Sequence, residues 1–192
     1  MMIEQLAPAF TIADAEKRGV SKDQLYRLLS EGVIERSARG IYIRPETIDP
    51  TLAPLAAATA GRLSSTLCLT SALTFHGLMD AIPFGCDIAL PRGTRTIAGI
   101  EHAIWHTFDV ATFTIGREPL PNDSGLDLYT YSPERCIIDT FRLAHQEGQD
   151  TATLTLKRWL EKKGNSPSTL LDMAKSFPKA EPSLRKTLEI LL

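Results

Sequence analysis

The sequence predicts an α+β protein: an N-terminal winged helix-turn-helix, then a mixed helix-and-sheet domain with a helical C-terminal end. Three observations lead there. Two short helical patterns meet at a glycine within residues 11–30, and two short apolar runs then flank a basic turn at Gly40. From Leu52 onward, alanine-rich and leucine-striped segments alternate with short β-branched ones. Two prolines within Pro45-Glu46-Thr47-Ile48-Asp49-Pro50 mark a linker and divide the chain into residues 1–48 and 49–192.

Thr11 is placed to cap a short helix carrying Ile12, Ala13, Ala15 and Glu16, which Gly19 ends. Ser21 is the next N-cap, and Gln24 three residues later has the spacing of a capping box. Leu25, Leu28 and Leu29 then share one face of the second helix, which leaves Ser21, Lys22, Tyr26 and Arg27 facing away or near the helix start. Val33-Ile34-Glu35-Arg36 and Ile41-Tyr42-Ile43 read as two strands joined by Ser37-Ala38-Arg39-Gly40, which makes a wing.

Beyond the linker, residues 52–63 predict a helix with Pro54 in its first turn, Thr66–Leu69 a short extended piece, and residues 71–78 a helix. Strands are expected at 87–90, 102–106 and 126–131. Ser132 and Pro133 open a helix that carries Ile137, Ile138, Phe141 and Leu143 and runs to Gly148. Three more helical patterns cover about 150–162, 167–176 and 182–192, with an apolar stripe that includes Leu154, Leu156, Trp159 and Leu160.

The chain has 192 residues and a net charge of −2, so it is not a generally basic nucleic-acid binder. Its charge is uneven. Residues 17–44 hold seven basic and three acidic residues, whereas 49–131 hold four basic and eight acidic. The basic surplus sits where a DNA-reading module needs it. A helix of this kind fits the major groove while flanking cations hold phosphates. Ser21, Lys22, Tyr26 and Arg27 are therefore assigned to the groove side, and Arg36 and Arg39 on the wing to the backbone or minor groove. The competing reading is a winged helix used for protein contacts.

Other chemistry is not encoded in recognisable form. MMIEQLAPAF is not a signal peptide, and no apolar run approaches the roughly 20 residues that span a bilayer. A soluble, cytoplasmic chain is expected. Cys68, Cys86 and Cys136 lie far apart in apolar surroundings and are expected to be buried thiols without a disulfide or zinc. His102 and His106 would share one face of a strand but have no third ligand, so no metal is expected. His76 reads as a hydrogen-bonded core histidine. There is no GxSxG, phosphate-cradling glycine loop or HExxH, and Glu161-Lys162-Lys163 is a helical charge run rather than a nuclease motif. Neither an enzyme nor a cofactor is expected.

The motifs also resemble a family. GVSKDQLYRLLSEGVIERSARGIYIRP is similar to the N-terminal winged helix of AbiEi-type antitoxins from type IV toxin–antitoxin and abortive-infection systems. LCLTSALTFHGL, IALPRGTR and YSPERCIIDTFRL resemble that family's later segments in the same order, so the likeness spans roughly residues 10–145. The resemblance implies a transcriptional autorepressor that binds inverted repeats in operator DNA, as a dimer or cooperatively. It further implies a nucleotidyltransferase-like AbiEii toxin as partner, antagonised by the C-terminal domain. The family's DNA-contacting positions fall on Lys22, Arg27, Arg36 and Arg39, and Arg92 and Arg95 are candidates for a second basic surface.

Overall fold

A computed structural model of the chain describes residues 2–144 and 148–192. The chain divides into two compact units. One comprises Met1–Leu67, Phe84–Phe108 and Pro119–Tyr129, the other Cys68–Pro83, Asp109–Glu118 and Thr130–Leu192. The architecture is α+β, as predicted, with the winged helix-turn-helix wholly inside the first unit.

The first unit begins with β1 (Ala9–Thr11), α1 (Ile12–Lys17), α2 (Lys22–Ser30), β2 (Glu35–Ala38) and β3 (Ile41–Ile43). Both helices start at the predicted caps. Thr11 and Ser21 each accept a hydrogen bond from the backbone three residues on, and Asp14 and Gln24 return it. These boxes satisfy backbone donors that a short helix would otherwise leave open, so six and nine residues suffice. Leu6, Phe10, Ala15, Val20, Leu25, Ile34 and Tyr42 form the small core, with Ile12, Leu28 and Leu29 packed on it. The Phe10 and Tyr42 rings stack at 5.9 Å.

The wing differs from its predicted register. Strand β2 begins at Glu35 rather than Val33, and the turn shortens to Arg39-Gly40, with Gly40 at φ +76°. The cause is a bulge: Arg36 pairs with Tyr42 and Ala38 with Ile41, so Ser37 is the extra residue. Strand β1, unpredicted because it is only three residues long, completes an antiparallel sheet in the order β1-β3-β2. Residues 45–47 form a single 3-10 turn in the predicted linker.

Helix α3 (Ala53–Gly61) packs against β1 and β3. Its buried Leu55, Ala56, Ala57, Ala58 and Thr59 are mostly small, which allows a close approach. Strand β4 (Thr66–Leu67) pairs antiparallel with β5 (Cys86–Pro91), and β5 pairs in parallel with β6 (Ala103–Phe108). The predicted histidine pair does not form on β6. His102 precedes the strand at φ +59°, and its carbonyl accepts from the Cys86 amide at 2.7 Å. Only His106 lies on the strand, bonded through Nε2 to Asp87 Oδ1 at 2.9 Å.

Two further short strands are β7 (Arg117–Pro119), which was not predicted, and β8 (Tyr129–Tyr131), which lacks the predicted residues 126–128. The second unit contains α4 (Leu69–Phe75), α5 (Pro133–Arg142), α6 (Gln149–Glu161), α7 (Pro167–Ala174) and α8 (Glu181–Leu191). Helix α4 starts and ends earlier than predicted. The predicted run of α5 to Gly148 falls partly on residues 145–147, outside the described residues. The buried face of α6 is Ala152, Thr155, Leu156 and Trp159, and Leu154 is 49% exposed rather than part of it.

Helix α5 is the hub of this unit and contacts α4, α6, α7 and α8. Ser132 caps it, as predicted, and every residue from Arg135 to Phe141 is buried. Arg135 and Asp139, both 1% exposed, form an ion pair at 3.0 Å. The Arg135 guanidinium also donates to the Thr112 and Ile115 carbonyls and lies 4.3 Å from the Tyr131 ring and 4.5 Å from the Phe177 ring. Arg142 donates to the other Asp139 oxygen at 3.0 Å. Burial pushes the Asp139 carboxyl above its usual range, against the pull of the two arginines. The half-buried His76 Nε2 donates to the Tyr131 carbonyl at 2.7 Å, in keeping with its predicted hydrogen-bonded role.

Removing one partner of such a buried pair strands the other charge, which costs about 3–5 kcal/mol. Asp139→Asn is therefore expected to lower the urea midpoint by an amount equivalent to about that loss, with the m-value unchanged. A loss below about 1 kcal/mol would refute the central role given to this pair.

Candidate nucleic-acid interface

Helix α2 owes its position to its buried face. Leu25 is fixed in the core with Leu28 and Leu29 beside it, so the opposite face of the helix must point outward. Lys22 and Tyr26, four residues apart, share that outer face, and Arg27 lies next to them. Tyr26 is 64% exposed. Its ring is therefore not part of the module's core. Ser21 is occupied differently, since its hydroxyl accepts from the Gln24 amide to hold the helix start.

The basic residues of this module are not equivalent. Arg18 donates to the Gln5 carbonyl and Arg44 to the Leu6 carbonyl at 2.9 Å, so both tie down the N-terminal segment. Lys22 stands 4.0 Å from Glu16, and Arg27 3.4 Å from Glu31. These pairs are exposed and weak, easily exchanged for a stronger anion. Arg36 folds along its own strand, donating to the Ala38 carbonyl at 3.4 Å. Arg39 has no hydrogen bond or ion pair among the described residues.

The two wing arginines also face different surroundings. Arg36 lines a cleft of about 540 Å³ together with Glu35 and Glu101, two carboxylates, and His102. Arg39 lines a separate cleft of about 480 Å³ with Arg62, Arg95 and Thr96, and no acidic residue contributes to its wall. Charge counting along the chain does not separate these environments, and it passes over Arg62, which no local pattern marks.

The thiols are closed off. All three cysteines are free thiols and buried, as expected. Burial, reinforced by the Asp87 charge, pushes the Cys86 thiol up to about 12. Burial also raises the Cys136 thiol. No group of three metal-ligating side chains occurs among the described residues, and no described helix is long and apolar enough to cross a membrane.

Comparison with known proteins bears on the same segment. Residues 1–45 match the family model described as "Transcriptional regulator, AbiEi antitoxin", which bears out the resemblance over the winged module. No curated protein matches the chain. Among solved structures, the chain is similar to the crystal structure of the RV2827C protein from Mycobacterium tuberculosis. That likeness has a TM-score of 0.65 at 18% identity and covers 98% of this chain and 73% of the other. At this identity the likeness is one of fold.

The thiol environment has a direct check. At pH 8 the native chain is expected to leave a disulfide-exchange reagent such as dithionitrobenzoate unreacted over minutes, and to release three thiols per chain in urea. Prompt native release of even one equivalent would contradict the buried, raised thiols.

Proposed function

We propose that the protein is a DNA-binding antitoxin and transcriptional autorepressor of a type IV toxin–antitoxin operon. In this reading residues 1–48 read the operator and residues 49–192 counteract a nucleotidyltransferase-like toxin. The observation that carries it is the family match at residues 1–45, together with the outward Lys22, Tyr26 and Arg27 of α2 in that segment. Helix α2 enters the major groove, where its first turns reach base edges. Lys22 and Arg27 exchange their weak glutamate partners for phosphates, Ser21 sets the helix start, and Arg36 and Arg39 hold the backbone beside the groove.

An operator made of inverted repeats engages two copies of the module, related by the two-fold axis of the DNA. DNA binding by this route needs no cofactor. A second reading is a winged-helix regulator without a toxin, its C-terminal domain serving another regulatory role. What favours it is that the family match ends at Pro45, whereas the rest of the chain is supported by likeness of fold alone.

Binding to the protein's own upstream DNA, titrated against salt, tests the repressor reading. Affinity is expected to fall steeply with salt, and Arg36→Ala with Arg39→Ala to flatten the slope by about 0.9 per lost phosphate contact. Undetectable binding at low salt would remove this reading. The toxin-facing half is tested by co-expression with the nucleotidyltransferase of the adjacent gene. The full chain is expected to restore growth, and the doubly substituted chain to restore it while no longer repressing. Absence of rescue by either would leave the toxin-free regulator.

A further inference from the structure

We infer that the outer edge of β6 is a self-pairing surface, which adds antiparallel to the same edge of a second copy of this chain. The edge is read from the fold. Its occupant rests on the operator reading above, in which two copies meet about a two-fold axis.

Strand β6 is the outermost strand of its sheet and pairs with β5 on one side only. In a parallel ladder, alternate residues turn both backbone groups toward the neighbouring strand. The His102 and Phe108 carbonyls accept from the Cys86 and Arg92 amides at 2.7 and 2.8 Å. The same period of two turns Ile104 and His106 toward β5, and Ala103, Trp105 and Thr107 outward. The Ala103 amide makes a long bond to the Ile100 carbonyl at 3.4 Å, whereas the outward groups of Trp105 and Thr107 have no partner among the described residues.

The other described strands that pair on one side only are guarded against such addition. Strand β1 has three residues. Strand β2 carries Glu35 and Arg36 and is broken by the bulge at Ser37. Strand β7 has three residues, Arg117, Glu118 and Pro119. Short length, charge, proline and bulges are the devices that keep an edge from pairing. Strand β6 has none of them. It runs six residues in unbroken register, without proline, lysine, arginine or an acid, and Ile104 on it is 38% exposed. An edge of this kind accepts another strand.

The strand is suited to its own copy. A two-fold axis through Trp105 sets Trp105 opposite Trp105 of the second copy, and Ala103 opposite Thr107, so each outward amide meets an outward carbonyl. With no acid, lysine or arginine in the strand, identical edges meet without like-charge repulsion. Six residues extend only about 20 Å. One such pair of edges covers well below the roughly 1,200 Å² at which stable interfaces begin, so the pairing is weak in free solution and forms when DNA holds two copies side by side.

Two variants of the full chain test this. Directly opposed residues lie about 5.5 Å apart between Cα atoms, within the span of a disulfide. Trp105→Cys, mildly oxidised on the protein's own upstream duplex, is expected to run as a linked dimer on a non-reducing gel. Leu63→Cys, at a position 80% exposed in the same unit, is expected to stay monomeric. Thr107→Pro removes one outward amide while sparing the β5 ladder, a placement that an edge strand tolerates. In fluorescence anisotropy on that duplex it is expected to lower the Hill coefficient from near 2 toward 1, with its melting temperature within a few degrees of the wild type. No linking at position 105 beyond that at Leu63→Cys, with the duplex bound, would overturn the pairing and leave the DNA-binding reading standing. So would a Hill coefficient near 1 in the wild type, or one near 2 that survives in folded Thr107→Pro. If Thr107→Pro unfolds, the cross-link alone decides. Linking at position 105 in a protein that binds no duplex would keep the strand pairing and remove the operator reading.

Discussion

The packing of helix α3 on the winged sheet is the constraint on which the candidate interface depends. Helix α3 packs against the sheet of the winged module, and its small buried residues bring the two backbones near each other. At the end of that helix a Cβ on Gly61 would meet the Cδ1 tips of Ile97 and Ile41 at 2.6 and 2.9 Å, and those side chains would have to turn aside. Tight packing is stiff packing, because interiors have little room to absorb added volume. The wing is therefore braced from behind by residues that follow the linker, and Arg62 is delivered to its tip as a consequence of that bracing.

The charge pattern acquires its meaning only after this packing is known. A surplus of basic residues over 17–44 locates the module, but Arg18 and Arg44 are committed to backbone carbonyls, and Arg36 shares its cleft with carboxylates. Of the wing arginines, Arg39 lines a cleft whose only charged residues are cationic. Net charge over a segment describes how strongly a polyanion is attracted at long range. It does not say which side chains are available at short range.

What could be read from the sequence was whatever is local. Both capping boxes span three residues, so Thr11 with Asp14 and Ser21 with Gln24 are visible as spacing, and the buried face of α2 follows from its 3.6-residue period. The wing register was not visible, because a bulge at Ser37 shifts the pairing without leaving a turn signature of its own. Strands of three residues, such as β1 and β7, are too short to show alternation. The arginine cleft was beyond reach for a different reason. Arg95 entered only as a basic residue of a resembling segment and Arg62 not at all, since both meet Arg39 only through tertiary packing. The YSPERCIIDTFRL segment, legible as a motif, proves to carry a buried ion pair at the hub of the second unit.

The division between affinity and specificity follows from these positions. Phosphate contacts supply binding that is blind to sequence, and each adds about 0.9 to the salt slope. On the proposed reading Lys22, Tyr26 and Arg27, which are among the exposed side chains of α2, face the base edges, and a good bidentate contact discriminates by only about 1–3 kcal/mol. One module with so few readers would, on that reading, hold any duplex almost as well as its own operator. On the proposed reading of inverted repeats, selectivity comes from pairing two modules on one operator, where the discriminating contacts add and the required half-site spacing rejects single sites.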